Sequence, residues 1–168
     1  MKRTRVFSLA LLATCALACG PAVSPSAPTS PVSRGGATSA FPAEFEGYYY
    51  DGDWGTIVIK AIGGDRVRAA YVHDEGTIEG RWVGGKLVGW WCEVPGRRPN
   101  ADAGDVELSF IKDGNGSRID GRWRYGDASN EPGWREDWDV SRTTPRAAPA
   151  ELLARFNDES AFCRKPGN

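Results

Sequence analysis

The sequence predicts an all-β fold, an eight-stranded antiparallel up-and-down (meander) β-barrel with a short C-terminal helix packed outside. Three observations predict it. Short runs of alternating apolar and polar residues fill 41–142, turn-forming separators divide them, and no helical period of useful length interrupts them. A two-sheet sandwich is the alternative arrangement of the same strands.

Taken in order, the strands are expected at 46–50, 55–61, 66–73, 77–83, 86–93, 105–112, 118–125 and 134–141. Gly63-Gly64-Asp65, Asp74-Glu75-Gly76, Gly84-Gly85 and Asp113-Gly114-Asn115-Gly116 separate them, all residue types that tolerate tight turns. Four strands repeat one pattern, aliphatic-x-small-x-aromatic: Val67-Ala69-Tyr71, Ile78-Gly80-Trp82, Leu87-Gly89-Trp91 and Ile119-Gly121-Trp123. Side chains alternate faces along a strand, so each set shares one face. The opposite face of the seventh strand reads Arg118, Asp120, Arg122, Arg124, which belongs in water. The small-plus-aromatic face is therefore interior, with glycine leaving room for a neighbouring ring. Closure into a barrel also removes the exposed edges of a flat sheet. Seven tryptophans invite a sugar-stacking reading, but Trp82, Trp91 and Trp123 fall on this interior face. Trp54 and Trp134 sit near loops, and Trp90 points outward.

Beyond the strands, Pro149 suits the start of a helix over 150–162, with Leu152, Leu153 and Phe156 as its apolar patch. Val88, Trp90 and Cys92 give the fifth strand an outward apolar face. The economical arrangement docks the helix there, covering Trp90, and ties it with a Cys92–Cys163 disulfide. Closing a loop of about 70 residues is worth on the order of 4 kcal/mol in the chain-entropy model.

The N-terminus reads as a sorting signal, 1–18. Lys2, Arg3 and Arg5 precede a short apolar stretch from Val6 to Ala18, and Ala16-Leu17-Ala18-Cys19-Gly20 resembles the lipobox of bacterial lipoproteins. That resemblance implies a lipidated Cys19 as the first mature residue; the alternative is ordinary cleavage after Ala18, leaving a free thiol. Residues 19–40 are rich in Pro, Ser, Ala, Thr and Gly, with Arg34 their only charge, and read as a disordered tether. Its 21 residues from Gly20 span about 25 Å as a flexible coil. The organisation is then signal 1–18, lipid-anchored tether 19–40, barrel 41–142, and linker with helix 143–168. An exported, envelope-anchored location follows, with the domain in the periplasm or at the cell surface. Gly20 after the cysteine, in place of Asp, is compatible with outer-membrane sorting. No later stretch approaches the roughly 20 apolar residues of a membrane span.

Removing Lys2, Arg3 and Arg5 with the signal leaves 18 basic against 22 acidic side chains, a net charge of −4. Nucleic acid is excluded as a partner on that balance, because phosphate binding needs a basic face. Cys92 and Cys163 remain as an even pair in an oxidising compartment, where a disulfide is the default.

Successive connections of a meander alternate between its two ends. The first, third, fifth and seventh share one end, which holds both long loops, 95–104 and 126–133. Long loops on a rigid frame are where function concentrates. The residues expected to bind there are His73, Glu93, Arg97, Asp102 and Asp105. His73 and Glu93 continue the interior face of their strands to the rim. They read as an acid–base pair, as two ligands of a metal, or as a structural hydrogen bond closing the mouth. Asn100, Asp102 and Asp105 place oxygen donors at a spacing that calcium loops use, but without the bidentate Glu an EF-hand requires. No organic cofactor and no other metal is expected.

The stretch Tyr71-Val72-His73-Asp74-Glu75-Gly76-Thr77-Ile78-Glu79-Gly80 resembles part of a β-rich domain of uncharacterised bacterial proteins. So do Leu87-Val88-Gly89-Trp90-Trp91-Cys92-Glu93, Asp102-Ala103-Gly104-Asp105-Val106-Glu107 and Gly121-Arg122-Trp123-Arg124-Tyr125-Gly126. The likeness runs from Trp54 to Trp138, implies a common fold, and carries no mechanism.

Three function classes remain. A non-catalytic binding module, with a protein, glycan or small-molecule partner at the loop end, is favoured. A lipocalin-like carrier of an apolar ligand is opposed by the aromatic side chains that fill the interior. An enzyme has little to work with: one histidine, no Gly-x-Ser-x-Gly elbow, no phosphate-cradling glycine loop, and only paired carboxylates such as Glu93 and Asp105.

Overall fold

The computed structural model describes residues 39–52, 55–99, 101–127 and 133–167. Among these, eight strands form one sheet: β1 (Gly47–Tyr49), β2 (Ile57–Gly63), β3 (Arg66–Tyr71), β4 (Thr77–Val83), β5 (Lys86–Cys92), β6 (Ala103–Asp113), β7 (Gly116–Trp123) and β8 (Arg135–Arg142). They pair antiparallel in sequence order, β1 to β8. The expected meander is present, and it curls into a nearly closed barrel.

The seam between β8 and β1 closes in two ways. Just past β1, the backbone N–H groups of Tyr50 and Asp51 donate to the Ser141 carbonyl (3.0 and 3.1 Å), and the Ser141 N–H donates to the Asp51 carbonyl (2.6 Å). Lower down, one side chain replaces the ladder. The Arg142 guanidinium donates to the carbonyls of Glu44 and Glu46 and to Ser117 Oγ (2.9 Å), and lies over the Tyr49 ring.

The interior is the face that alternation selects. Val67, Ala69, Tyr71, Ile78, Trp82, Leu87, Trp91, Ile119 and Trp123 all belong to its buried cluster. Gly121 serves the expected purpose, since a Cβ there would meet Leu108 Cδ2 at 2.6 Å and Trp138 Cβ at 3.0 Å. Gly80 and Gly89 serve another. They face each other across β4 and β5, and a Cβ on Gly80 would sit 2.4 Å from the Val88 carbonyl oxygen. Here the small residues admit backbone, not a ring, and let the two strands coil tightly. Trp138 joins the interior from β8.

The tight-turn end is plugged. Phe41, just before a 3-10 turn at Ala43–Phe45, packs edge-on against Trp82 and Phe110, both at 5.2 Å. Phe45 stacks near the same Phe110 ring. No such plug lies at the loop end among the described residues.

The helix is shorter than expected and docks elsewhere. α1 spans Ala150–Asn157, after which Asp158 accepts from the Ser160 N–H and starts a 3-10 turn. Leu152 and Phe156 bury against Val58 and Ala70, on the outer face of β2 and β3, not against β5. The reason is visible in β2, where Ile57, Val58 and Ile59 are all buried, so both faces of that strand are covered. Only the tail beyond α1 reaches β5. Thr77 Oγ1 donates to the Ala161 carbonyl (2.9 Å), and Cys163 joins Cys92 in a disulfide with Cα atoms 6.2 Å apart. Trp90 is covered as expected, by Cys163 and the Lys165 ammonium instead of the helix. No helix among the described residues is long and apolar enough to cross a membrane.

Candidate functional site

The open end of the barrel holds a small cavity of about 120 Å³. Its walls are the rings of Trp91, Trp123, Tyr125 and Trp138, and its rim is His73, Asp74, Glu93 and Asp102. The rings brace one another edge to face: Trp91 to Trp123 at 5.3 Å, Trp123 to Tyr125 at 5.2 Å, and Tyr71 to Trp138 at 5.0 Å. Their polar atoms are engaged as buried indoles require. Trp91 Nε1 donates to the Arg124 carbonyl (3.1 Å) and Trp123 Nε1 to Asp137 Oδ1 (2.7 Å). Arg135 stacks over Trp123 and Tyr125.

The rim is built by two connections. β3 ends at Tyr71, two residues sooner than expected, and His73 falls in a 3-10 turn, His73–Glu75, instead of the strand. Asp74 and Glu75 take left-handed backbone angles (φ 39° and 51°), which reverse the chain within a single short turn. The turn abuts the connection after β5, because the Val94 N–H donates to the Asp74 carbonyl (2.9 Å). Glu93 follows β5 directly, and its N–H donates to the Asp102 carbonyl (2.8 Å).

Glu93 is held from below. Tyr71 Oη donates to Glu93 Oε1 at 2.8 Å. Partial burial pushes the Glu93 carboxyl above its usual range, the charges of Asp74 and Asp102 push the same way, and the Tyr71 bond and nearby His73 offset part of this. Burial raises the Tyr71 phenol well above its ordinary value, and Glu93 and Asp74 add to the effect. His73 Nε2 lies 3.6 Å from Asp74 Oδ2. Among the described residues, His73, Asp74 and Glu93 form a group whose ligand-capable atoms all lie within 4.8 Å of one another. No lysine or arginine comes within ion-pair distance of Asp74, Glu93 or Asp102 among the described residues.

The residues singled out in the sequence divide between two faces. His73, Glu93 and Asp102 meet at the mouth. Arg97 turns away, donating through Nη1 to the Ser160 carbonyl on the C-terminal tail (3.1 Å). Asp105 is on the outer face of β6, where Arg124 and Lys165 each approach its carboxylate at 2.6 Å. Asp102 and Asp105 therefore point to opposite sides of the sheet, which separates two of the three residues considered for calcium. Asn100 and Cys19 lie outside the described residues, as does Trp54. Trp134 is outside the barrel, with the guanidinium groups of Arg122 and Arg124 each against its ring, 4.5 and 4.4 Å from the centroid. Sequence reasoning missed Asp74 as a partner of His73, and the hydroxyl of Tyr71. The available signal was a Tyr where the equivalent strands carry Trp.

A larger groove, about 530 Å³, runs along the outer face of β3, β4 and β5 beneath the C-terminal tail. Most of its charges are already paired: Arg66 and Arg68 with Glu79 (2.7 and 3.0 Å), Arg81 with Asp65, and Lys165 with Asp105, while Arg164 also lines it. Size favours the groove, but a groove whose carboxylates are held by arginine and lysine offers a cationic group less than a rim where Asp74, Glu93 and Asp102 have no such partner among the described residues. The mouth is the better site.

In comparison with known proteins, no family model, no curated protein and no solved structure matches this chain.

Proposed function

We propose that this chain is an exported cell-envelope lipoprotein, anchored through Cys19, whose barrel is a non-catalytic binding module that uses its loop-rich mouth. The observation that carries the reading is the asymmetry of the two ends. One is plugged by Phe41 and Phe45, and the other presents an aromatic-walled cavity rimmed by His73, Asp74, Glu93 and Asp102. Between them the interior is occupied by Ile59, Val67, Ile78, Leu87, Val106, Leu108 and Ile119, so a partner meets the mouth and not the middle of the barrel. The Cys92–Cys163 disulfide suits an extracytoplasmic compartment.

The test is native mass spectrometry of the protein isolated from its own envelope, as wild type, Asp102→Arg and Asn115→Arg. The expected chain starts at Cys19, carries acyl groups, and holds a partner mass that Asp102→Arg removes and Asn115→Arg at the plugged end leaves in place. An unacylated chain would overturn the anchor. A partner lost only with Asn115→Arg, or none held by the wild type, would overturn the mouth.

A further inference from the structure

We propose that the barrel mouth is a divalent-cation centre in which His73 supplies one ring nitrogen and Asp74 and Glu93 one carboxylate oxygen each. The inference rests on the mouth being the binding site and names the chemistry it takes.

Three independent features converge on it. The first is the donor set. An imidazole with two carboxylates suits first-row divalent ions such as Mn²⁺ or Zn²⁺ better than calcium, which prefers six or more oxygens. The second is placement. The three ligand-capable atoms already lie within 4.8 Å of one another. Three ligands about 2.1 Å from one ion sit about 3.0–3.6 Å from one another, so side-chain torsions that draw these atoms together by up to about 2 Å complete the approach. The side chains of His73 and Asp74 are 50% and 62% exposed and border the cavity, while the backbone of their turn is fixed by the Val94-to-Asp74 hydrogen bond. Glu93 is aimed by the buried hydroxyl of Tyr71, the kind of outer partner that orients metal ligands.

The third feature is charge. Asp74, Glu93 and Asp102 gather at one rim, and no lysine or arginine pairs with any of them among the described residues. Several other buried or half-buried carboxylates of the barrel are neutralised by arginine or lysine: Asp105 by Arg124 and Lys165, Glu79 by Arg66 and Arg68, Glu107 by Arg122. The mouth gathers three carboxylates without such a partner, and a dication supplies the missing charge. Asp102, on the same cavity wall, adds attraction and stands ready as a further oxygen.

The experiment is a Mn²⁺ titration of the full chain, followed by the loss of the free-ion electron paramagnetic resonance signal, with ¹⁴N hyperfine coupling read on the bound ion. Mn²⁺ is the probe because thiolates, here Cys15 and Cys19, bind it poorly. One equivalent should bind with an imidazole nitrogen coupling. His73→Ala should abolish that coupling and weaken binding by at least about tenfold. Asp74→Asn should weaken it comparably, and Asp105→Asn on the outer face should change nothing. Thermal melting of the metal-free variants separates ligand loss from misfolding. Absence of binding at millimolar Mn²⁺, or bound Mn²⁺ indifferent to His73→Ala, overturns the cation centre. If a partner mass still responds to Asp102→Arg in that event, the mouth reading stands and only the cation falls.

Discussion

Tyr71 donates its hydroxyl to Glu93 Oε1 over 2.8 Å, tying the last interior ring of β3 to the rim carboxylate that follows β5. The phenol is almost fully buried and the carboxylate half-buried, so neither finds water as a ready substitute. Gly76 makes the arrangement possible, since a Cβ there would fall 1.9 Å from the Tyr71 ring. We expect Tyr71→Phe to destabilise the domain by about 1–2 kcal/mol, the cost of leaving a partly desolvated acceptor without its donor. Denaturant melts of a Tyr71→Phe, Glu93→Leu double-mutant cycle measure the coupling. A coupling near zero would show that the bond contributes nothing.

The disulfide fastens the tail that covers Trp90 and continues from α1. Cys163→Ser should lower stability by up to about 4 kcal/mol, less where the tail stays docked through Leu152 and Phe156. Hydrogen exchange should show the loss concentrated in the segment after Asn157, with β6 and β7 still protected. Uniform loss across the barrel would mean that the bridge supports the sheet itself.

Asp120 and Asp139 face each other across β7 and β8 on the solvent side. Desolvation raises the Asp139 carboxyl pKa, with the Asp120 charge next in effect. A raised folded pKa means that the native state holds the proton more tightly. Its stabilising contribution is complete below the unfolded pKa and is lost as pH rises through the folded one. At neutral pH the pair is therefore a liability, and Asp139→Asn should stabilise by a few tenths of a kcal/mol, the exposed end of the cross-strand range. The gain should vanish in melts at acidic pH. A gain that persists there would rule out charge repulsion as its source.

Arg142 closes the seam between β8 and β1 with a side chain where a backbone ladder is missing. Arg142→Ala removes donors from two carbonyls and from Ser117 Oγ, and uncovers the Tyr49 ring. A loss of about 2–3 kcal/mol is expected, as for hydrogen bonds that involve a charged group. Arg142→Lys should recover only part of it, because one ammonium does not reproduce the guanidinium fork. Full recovery by lysine would assign the effect to charge alone.

The fold was legible because two local signals agree along the chain. Turn glycines set the strand ends, and alternation set the faces of Val67, Ile78, Leu87 and Ile119. What escaped depended on contacts between distant elements. The docking of α1 on β2 and β3 was decided by Val58 and Ala70, outward apolar residues that strand alternation alone leaves unassigned until a partner is known. A β6 that begins at Asp105 groups that residue with the loop, but the strand starts at Ala103, so Asp105 lies within it, opposite in parity to the interior Val106. Extending β3 through His73 puts that side chain on the strand's interior face, whereas the left-handed turn at Asp74 and Glu75 sets it against the Asp74 carboxylate. No periodicity signals that turn. The Phe41 plug was equally hidden, since its partners Trp82 and Phe110 come from strands far along the chain.

Site-specific photo-crosslinking in the native envelope tests the central claim most directly. A photoreactive residue at Asp102, on the mouth, is compared with one at Asn115, in the turn of the plugged end. Discrete adducts from Asp102, absent from Asn115 and reduced when His73→Ala is added, are the expected result. Adducts from Asn115 alone, or equally from both ends, would contradict a binding site at the mouth.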